Sequence, residues 1–323
     1  MIIVTGGAGF IGSAFVWYLN QQGIDDIIVV DHLSSSTKWR NLVPLQYDNY
    51  IQKDDFLDML VDNRLPKGIE AMVHLGACSD TTERNVDYLM ENNYRYTQLL
   101  ADYCVKKSIR FMYASSAATY GDGRQGFEDD HHRLHTLRPI NPYGYSKHFF
   151  DTVALRSGVL DTAIGLKFFN VFGPNEGHKG GMRSVVCKAH SEIQTTGMMR
   201  LFKSYRPDYR DGEQQRDFIY VKDVVAIMWQ LLQNRKLTGL YNIGSGTART
   251  WNAVAHALFA ALGRSPVIEY IDMPETIRAH YQYFTEAHLG KLKSVLPDLT
   301  MTPLEVAIGE YVGDYLNDAV GLG

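Results

Sequence analysis

The chain has 323 residues, of which 45% are hydrophobic and 21% are charged, and its formal net charge at pH 7 is −4. This size and composition predict a globular protein that can bury a sizeable core. The slight negative charge gives no reason to expect a nucleic acid or a membrane surface as a partner, although a small anionic ligand can still bind in a local basic pocket.

Short apolar runs alternate with amphipathic stretches over the first two-thirds of the chain. Buried strands are predicted at residues 1–5, 26–31, 69–77, 109–117 and 162–173. Helices are predicted between them at residues 10–22, 87–107 and 143–158. This alternation predicts an α/β fold with a Rossmann-type, doubly wound parallel sheet that helices cover on both faces.

The pattern loosens after residue 173. Residues 202–217 are polar and rich in turn formers, which is typical of a functional loop, and a helix at 218–234 and a strand at 239–246 are predicted to follow. We expect a dinucleotide-binding domain formed by residues 1–170 and 217–247. A smaller α/β substrate-binding domain, discontinuous in sequence, is expected from residues 171–216 and 248–323.

Cysteine usage and the first residues bear on the cellular compartment. Cys78, Cys104 and Cys187 are far apart and lack metal-ligand spacing, so we expect neither a disulfide framework nor a metal site. The chain begins with a predicted strand rather than with the charged and apolar regions of a signal peptide. No window reaches about 18 consecutive apolar residues, the length that a membrane span needs. These observations predict a cytoplasmic protein.

The segment TGGAGFIG (residues 5–12) has the glycine spacing of a dinucleotide-binding turn. Gly7, Gly9 and Gly12 fit G-x-G-x-x-G, with Gly6 before them, and the segment follows a strand and opens a helix. Glycine permits the tight turn and the approach of backbone amides to a pyrophosphate at the helix N-terminus. Asp31, nineteen residues after Gly12 at the end of the second strand, is placed to bond an adenosine ribose.

The choice between NAD and NADP stays open at this stage and leans to NADP. An acidic residue at position 31 favours an unphosphorylated ribose. Lys38 and Lys53 can meet a 2′-phosphate, with His32 beside them, but either lysine can equally be a plain surface charge.

A second motif lies in the segment NPYGYSKHFFD, where Tyr143 and Lys147 are four residues apart and therefore share one helix face. A phenol with a pKa of about 10 is a poor base at neutral pH. A lysine ammonium one turn away, together with a positive nicotinamide, favours the phenolate. The motif gains weight from the dinucleotide turn and from Ser116 at the end of the strand MYASSAATYG.

These residues resemble the extended short-chain dehydrogenase/reductase family, and the resemblance covers essentially the whole chain, including RDFIYVKDV at residues 216–224. It implies that Ser116 orients a sugar hydroxyl, Tyr143 exchanges a proton, and Lys147 holds the nicotinamide ribose and tunes Tyr143. Arg216 would clamp a substrate diphosphate, a task that suits a guanidinium fork, although a surface ion pair is the alternative.

The resemblance also separates reaction types. Family dehydratases carry an acidic pair just after the catalytic serine or threonine, where this chain has Ala117 and Ala118. The nucleophilic cysteine of four-electron dehydrogenases has no counterpart, because Cys78 and Cys187 do not lie in a comparable helix. A redox-neutral epimerase is favoured, with a reductase as the first alternative. A non-catalytic dinucleotide-binding module is the second, and Ser116, Tyr143 and Lys147 argue against it.

Five further segments are similar, in order, to a class of epimerases in this family that act on ADP-sugars: HLGACSDTTE, ENNYRYT, YASSAATYG, NVFGPNEGHKGGM and YQYFT. In that class the lysine of the GHKG turn is a second acid/base opposite the tyrosine, and Lys179 matches it. A solvated loop charge and a phosphate or cofactor contact are its alternatives, while His178 is expected to be part of the turn's scaffold. The resemblance also implies a homo-oligomer, a pentamer by analogy, and an ADP-sugar used for lipopolysaccharide assembly.

The remaining site residues follow from the same resemblance. The expected NADP (or NAD) site comprises Gly6, Gly9, Phe10, Ile11, Gly12, Asp31, His32, Lys38, Lys53, Leu75, Gly76, Ala77, Cys78, Ser79, Asn92, Lys147, Val171 and Lys179. The expected substrate site comprises Ser116, Asn170, Gly181, Lys188, Phe202, Lys203, Ser204, Tyr205, Arg216 and Tyr281. Asn92 would secure the backbone near the nicotinamide half of the cofactor. Gly181 replaces a serine, Lys188 replaces a histidine, and the 204–215 loop is longer than the class pattern.

Overall fold

The computed structural model describes residues 1–278, 281–317 and 320–323. Its strands are β1 (Ile2–Thr5), β2 (Ile27–Asp31), β3 (Asn49–Gln52), β4 (Ala71–His74), β5 (Arg110–Ser116), β6 (Ile164–Phe168), β7 (Asn170–Phe172), β8 (Met199–Phe202), β9 (Gln215–Tyr220), β10 (Gly239–Ile243), β11 (Ala248–Thr250) and β12 (Ile268–Ile271). Its α-helices are α1 (Phe10–Gln21), α2 (Lys53–Val61), α3 (Val86–Leu89), α4 (Tyr96–Lys107), α5 (Pro142–Arg156), α6 (Val185–Thr196), α7 (Val221–Gln233), α8 (Trp251–Ala261), α9 (Glu275–Arg278), α10 (Gly290–Val295) and α11 (Leu304–Glu310).

The predicted doubly wound sheet is confirmed. Seven parallel strands lie in the order β10-β6-β5-β4-β1-β2-β3, flanked by helices. β1, β2 and β4 are apolar runs without alternation because both faces of a parallel sheet are covered, and every residue in these three strands is buried. A sheet of this type directs the carboxyl ends of its strands to one edge, which is where such folds bind ligands.

Two smaller sheets stand beside the large one. β11, β9 and β7 form a three-stranded sheet, and β12 pairs with β8. The strands of both small sheets lie between residues 170 and 271, whereas the large sheet uses residues 2–168 and 239–243. The division into two domains stays a prediction. None of the helices in the described part of the chain is long and apolar enough to cross a membrane.

Two predicted elements differ from the structure. The single strand predicted at 162–173 is two strands, because the Phe169 amide donates to the carbonyl of Ile243 and the chain then leaves the large sheet to pair with β9. The helix predicted from residue 218 begins at Val221, because residues 218–220 are the end of β9. Both boundaries fall within short apolar stretches, FFNVF at 168–172 and FIYV at 218–221, and such stretches do not tell a strand from a helix by periodicity alone.

A buried histidine ties the sheet to the helix beside it. His74, at the end of β4, is 1% exposed, and its ring lies 2.6 Å from the hydroxyl of Thr5 through Nδ1 and 2.9 Å from that of Thr97 through Nε2. Burial lowers the pKa of His74 from 6.5 to about 3. The imidazole is therefore neutral in the folded protein at any pH near neutrality.

We expect this histidine to make the protein acid-sensitive. The unfolded chain takes up a proton at His74 near pH 6.5, while the folded chain does so only near pH 3, so stability falls as the pH drops through this window. The contribution is about 1.4 kcal/mol per pH unit. Urea unfolding of the wild type and His74→Gln between pH 7.5 and 5 measures it. The slope should be shallower in the variant, and an equal slope would contradict the expectation.

Candidate active site

A cavity of about 1380 Å³ opens at the carboxyl edge of the large sheet. Its wall includes most of the residues predicted for the cofactor and the substrate. The predicted residues that line it are Gly6, Gly9, Phe10, Ile11, Gly12, Asp31, His32, Lys38, Leu75, Gly76, Ala77, Cys78, Ser79, Ser116, Tyr143, Lys147, Asn170, Val171, Lys179, Lys188, Arg216 and Tyr281. The ends of β1, β2, β4, β5 and β6 all contribute to this wall.

The glycine turn between β1 and α1 is shaped by close backbone contacts. Gly6 has φ +69°, and a Cβ there would lie 2.5 Å from the amide nitrogen of Gly76. A Cβ on Gly12 would lie 2.1 Å from the carbonyl oxygen of Gly6. No side chain caps the amides at the start of α1, and its first turn has no acidic residue. The turn therefore offers backbone donors and a positive helix end to a pyrophosphate.

The ribose end of the cavity is built around Asp31, which is 7% exposed. Its carboxylate accepts hydrogen bonds from the amides of Ala8 at 2.8 Å and His32 at 2.7 Å, and from Lys38 Nζ at 2.6 Å. Lys53 lies outside the cavity lining, where its Nζ is 3.4 Å from the side-chain oxygen of Asn92. Of the two lysines considered for a 2′-phosphate, Lys38 alone lines the cavity.

The start of α5 is held against the end of β5. Asn141 caps the helix by accepting from the Gly144 amide at 2.7 Å, and Pro142 occupies its first turn. Gly144 is required at this crossing, since a Cβ would lie 2.7 Å from the carbonyl oxygen of Ala118. The contact brings Tyr143, on the first turn of α5, to the same cavity wall as Ser116, the last residue of β5.

Burial controls the ionisation of the tyrosine and the lysine. It raises the pKa of the Tyr143 phenol, and the nearby Ser116 hydroxyl partly offsets this effect. Burial lowers the pKa of Lys147 to about 8, against an opposing contribution from Asp151. Lys147 is 4% exposed and its Nζ donates to the carbonyl of Ala114 at 2.9 Å. An ammonium fixed one turn from a buried phenol stabilises the phenolate form.

The segment after β4 is secured by an asparagine that the sequence reasoning missed. Asn93 accepts from the Cys78 amide at 2.9 Å and donates to the Cys78 carbonyl at 3.0 Å and to Ser146 at 3.2 Å. Its neighbour Asn92, for which this role was predicted, is outside the cavity lining and donates to Asn93 at 3.2 Å. The two asparagines are adjacent in a π-helical turn (Met90–Arg95), so the sequence signal was present but assigned one residue too early.

Lys179 lies on the glycine-rich turn that follows β7. It is half-buried in the cavity wall, and its Nζ stands 5.4 Å from the centre of the Phe10 ring on the glycine turn of α1. Burial lowers the pKa of Lys179, the nearby Lys188 adds to this effect, and Glu176 opposes it. A lysine with a lowered pKa that lines a cavity is suited to proton exchange, and this placement does not fit a fully solvated loop charge.

Distant parts of the chain hold that turn in place. Asn175 has φ +76°, donates to the Ser13 hydroxyl at 2.9 Å and accepts from the Leu322 amide at 2.9 Å. Glu176 is fully buried and accepts from the amide and hydroxyl of Ser184 and from the Tyr311 phenol at 3.1 Å. Four elements far apart in sequence thus converge on two residues that lie just before Lys179.

His178 belongs to this scaffold as well as to the cavity wall. Its Nδ1 is 3.3 Å from the side-chain nitrogen of Asn41, which also donates to the carbonyls of Ala8 and Asn175. Burial lowers the pKa of His178 to about 4, so the ring is neutral at physiological pH. The predicted scaffolding role matches these contacts.

Arg216, at the far end of the cavity, lies between two aromatic rings. Its guanidinium carbon is 5.2 Å from the centre of the Tyr281 ring and 5.8 Å from that of Trp251. The Trp251 indole in turn donates to the Tyr281 hydroxyl at 3.0 Å. Trp251 lines the cavity and was missed from the sequence, because nothing local marks an aromatic residue at the start of α8 as part of a site.

The predicted alternative for Arg216, an ion pair, is not formed in the described ranges. No carboxylate in residues 1–278, 281–317 and 320–323 makes a salt bridge with Arg216. Asp217 instead accepts from Ser245, Gly246 and Ala287, and Asp223 accepts from Thr302. A guanidinium that lines a cavity without an acidic partner is a ready site for a phosphate group.

Several predicted substrate residues lie outside the cavity lining, namely Gly181, Phe202, Lys203, Ser204 and Tyr205. Phe202 is next to it, with its ring centre 6.2 Å from that of Tyr281. Lys203 and Tyr205 both contact Asp272, at 3.3 Å and 3.0 Å. Side chains that line the cavity but were not predicted include Ser34, Asp80, Glu83, Arg84, Trp251, Gln282 and Thr285. They come mostly from irregular segments, where sequence periodicity gives no guide.

Comparisons with known proteins agree with this geometry. Residues 2–244 match the sequence model of the NAD dependent epimerase/dehydratase family. The chain is 57% identical over 316 residues to the ADP-L-glycero-D-manno-heptose-6-epimerase of Nitratidesulfovibrio vulgaris, with 98% of each chain covered. It is 47% identical over 325 residues to the enzyme of that name from Fusobacterium nucleatum, again with 98% of each covered. The crystal structure of the Helicobacter pylori ADP-L-glycero-D-manno-heptose-6-epimerase superimposes with a TM-score of 0.81 at 29% identity, covering 96% of this chain and 94% of that one.

The glycine turn supplies a direct test of cofactor binding. In Gly12→Ala the new methyl group meets the Gly6 carbonyl at 2.1 Å, so the turn has to open and its amides move. We expect the affinity for a nicotinamide dinucleotide to fall by about tenfold or more, measured by isothermal titration calorimetry. Gly309→Ala is the matched control, because a Cβ at this position in α11 meets nothing within 4 Å. Equal affinities in the two variants would contradict the expectation.

Proposed function

The chain belongs to the NAD dependent epimerase/dehydratase family, and we propose that within it the protein interconverts ADP-D-glycero-D-manno-heptose and ADP-L-glycero-D-manno-heptose. The observation that carries the proposal is that two proton-exchanging groups, Tyr143 and Lys179, reach one cavity from different elements. Both lie among residues that suit a dinucleotide and a sugar diphosphate.

The reaction oxidises C6 of the heptose to a ketone and reduces it again from the opposite face. A nicotinamide held in this cavity would supply the hydride acceptor and donor that the reaction needs. Tyr143 removes or restores the proton of the C6 hydroxyl on one side, oriented by Ser116 and assisted by the charge of Lys147. The burial of Tyr143 and Lys147 keeps this exchange away from bulk water.

A second proton carrier is needed because the hydroxyl of the inverted product points in a different direction. One acid/base cannot reach both hydroxyl positions, so a group on another wall of the cavity is useful. C6 lies outside the sugar ring, and rotation about one single bond presents the second face of the ketone without moving the nucleotide. Lys179, with its lowered pKa, serves as that second group.

The substrate diphosphate is assigned to Arg216, and Asn170, Lys188 and Tyr281 line the same cavity. The guanidinium offers several N–H donors to phosphate oxygens, and its contacts with Trp251 and Tyr281 hold its plane in position. Because Lys188 is exposed, it contributes charge near the diphosphate more than fixed geometry.

For the cofactor we propose NADP. Lys38 neutralises the buried Asp31 through a 2.6 Å ion pair, so the acidic residue at the ribose does not present an unscreened negative charge to a 2′-phosphate. His32 is exposed beside it and supplies a further donor. The product is expected to supply lipopolysaccharide assembly. The ring-like homo-oligomer stays a prediction of the resemblance.

Removing either proton carrier should stop inversion without emptying the cofactor site. We expect Tyr143→Phe and Lys179→Met each to lower the rate of C6 inversion by about 10²- to 10⁴-fold, the range typical of a lost general acid or base. Incubation with ADP-D-glycero-D-manno-heptose followed by NMR at C6 measures the rate. Cofactor retention is read from mass spectrometry of the denatured protein's supernatant.

Lys106→Met, an exposed lysine on α4, is the matched control and should be fully active. A fully active Lys179→Met would assign the second proton exchange to another group. Absence of inversion in the cofactor-loaded wild type would contradict the proposed reaction. Stoichiometric loss of absorbance at 340 nm with a keto-sugar would favour a reductase instead.

Cofactor choice is tested by comparing two lysines. Lys38→Ala should weaken NADP binding by about tenfold or more, since it removes a charge-assisted contact, and should change NAD binding much less. Lys53→Ala is the control, because Lys53 does not line the cavity, and its NADP affinity should equal that of the wild type. If Lys38→Ala weakened both cofactors equally, the preference for NADP would not rest on this lysine.

A further inference from the structure

A pair of opposite charges is enclosed behind the catalytic helix. Asp151, on α5, and Lys167, on β6, are both fully buried, and Lys167 Nζ lies 2.7 Å from Asp151 Oδ2. Neither residue lines the cavity, and the proposed reaction does not use either. Burying an ion pair carries a desolvation cost, and apolar side chains of similar volume often pack as well or better. The pair therefore calls for an explanation besides packing.

Every polar atom of the pair has a partner. Asp151 accepts from the Tyr113 phenol at 2.9 Å and from the Ser115 hydroxyl at 2.7 Å. Lys167 also donates to the Thr119 hydroxyl at 2.7 Å and stands 5.0 Å from the centre of the Tyr120 ring. These contacts fix both charges in one arrangement, because the surrounding groups come from β5, β6, α5 and the turn after β5.

The contacts of this pair are next to the groups that react. Asp151 lies one helical turn after Lys147, on the same side of α5. Ser115, which donates to Asp151, directly precedes Ser116. The carbonyl of Ala114, the residue before Ser115, accepts from Lys147. A displacement of Asp151 would therefore act on Ser116 through Ser115, and on Lys147 through one turn of α5.

We propose that Asp151 and Lys167 are positioning residues for the epimerisation, which fix α5 on β5 and whose opposite charges set the pH range in which Tyr143 and Lys147 work. The proposal rests on the proposed function of Tyr143 and Lys147. Neither residue touches substrate or cofactor, so both act through their neighbours. The pair works as a fixed dipole in a region of low dielectric, where a single uncompensated charge has a large effect on nearby ionisation.

Other titratable groups face these residues from the surrounding elements. Those near Asp151 are Lys147 and His148 on α5, Tyr113 on β5, Tyr120 in the turn after β5, and His131. Cys78 faces both Tyr143 and Lys147 from the segment after β4, and Asp151 opposes the lowering of the Lys147 pKa by burial. Asp151 and Lys167 are the oppositely charged members of this set that form a direct ion pair.

Two single substitutions should move the pH profile in opposite directions. Asp151→Asn leaves the Lys167 charge alone, which favours the Tyr143 phenolate and moves the acid limb of kcat/KM to lower pH. Lys167→Met leaves the Asp151 charge alone and moves that limb to higher pH. We expect displacements of about one pH unit, a tenfold change in ionisation ratio at a given pH. The double variant Asp151→Asn/Lys167→Met should return the limb towards its wild-type position.

Tyr113→Phe is the matched control, because it removes one hydrogen bond to Asp151 without changing a charge. It should leave the pH profile in place even if the melting temperature falls. Lys167→Gln replaces Lys167→Met if the latter does not fold. Equal pH profiles in all folded variants, or displacements in the same direction for both single variants, would overturn the proposal and leave the pair with a packing role.

A second readout separates this proposal from the proposed function. The phenolate absorbance near 295 nm is titrated for each cofactor-loaded variant, and the titration of the same variant carrying Tyr143→Phe is subtracted. The Tyr143 titration should move down in Asp151→Asn and up in Lys167→Met, whether or not the ADP-heptose is the substrate. If the wild type fails to invert that sugar but the titrations move as expected, the function is wrong and the positioning pair stands.

Discussion

The packing of α5 along β5 is the contact on which the site depends. Gly144 crosses the carbonyl of Ala118, and Lys147, one turn later, bonds the carbonyl of Ala114. One turn further, Asp151 bonds side chains of the same strand. Three successive turns of one helix thus contact β5 or the turn that directly follows it. Ser116 lies 27 positions before Tyr143 and 31 before Lys147 in sequence, and this contact makes the three residues neighbours in the cavity wall.

The part of the cavity wall that carries Lys179 is built in another way. Lys179 sits on a turn without regular structure of its own, so its position depends on hydrogen bonds from elsewhere in the chain. These bonds join Asn175 and Glu176 to α1, to the residue that caps α6, to the π-helical turn Tyr311–Leu316 and to Leu322. A rigid helix thus presents one candidate proton carrier, and a braced turn presents the other. This difference suits a reaction in which two hydroxyl orientations have to be served.

The sequence allowed a feature to be predicted when residues close together in the chain determine it, and not when contacts between distant residues do. The glycine turn and the Tyr143–Lys147 pair were predicted because spacing along one turn or one helix determines them. The break at Phe169 was not, since it depends on a hydrogen bond to Ile243. Trp251 gave no local signal, because its role arises from contacts with rings and a guanidinium that only the fold brings together.

The same distinction explains the near miss at the paired asparagines and the residues that lie outside the cavity. The wider π-helical turn determines that Asn93 rather than Asn92 faces Cys78. The sequence pattern does not reveal the period of such a turn. Lys53 was considered for its charge and Tyr205 was implied by the resemblance, but contacts with Asn92 and Asp272 hold them outside the cavity lining. The local helical period decided the case of the asparagines, and contacts distant in sequence decided the cases of Lys53 and Tyr205.

The bond between Asn175 and the amide of Leu322 has a consequence for the order in which the protein matures. It spans 147 positions in sequence, and it braces the turn that carries Lys179. During synthesis the nucleotide-binding strands and α5 are complete long before residue 322 leaves the ribosome. Because contacts of large sequence separation form late in folding, a nascent chain can present a finished cofactor turn before the Lys179 turn is braced. Cofactor binding can therefore precede catalytic competence in the life of each molecule.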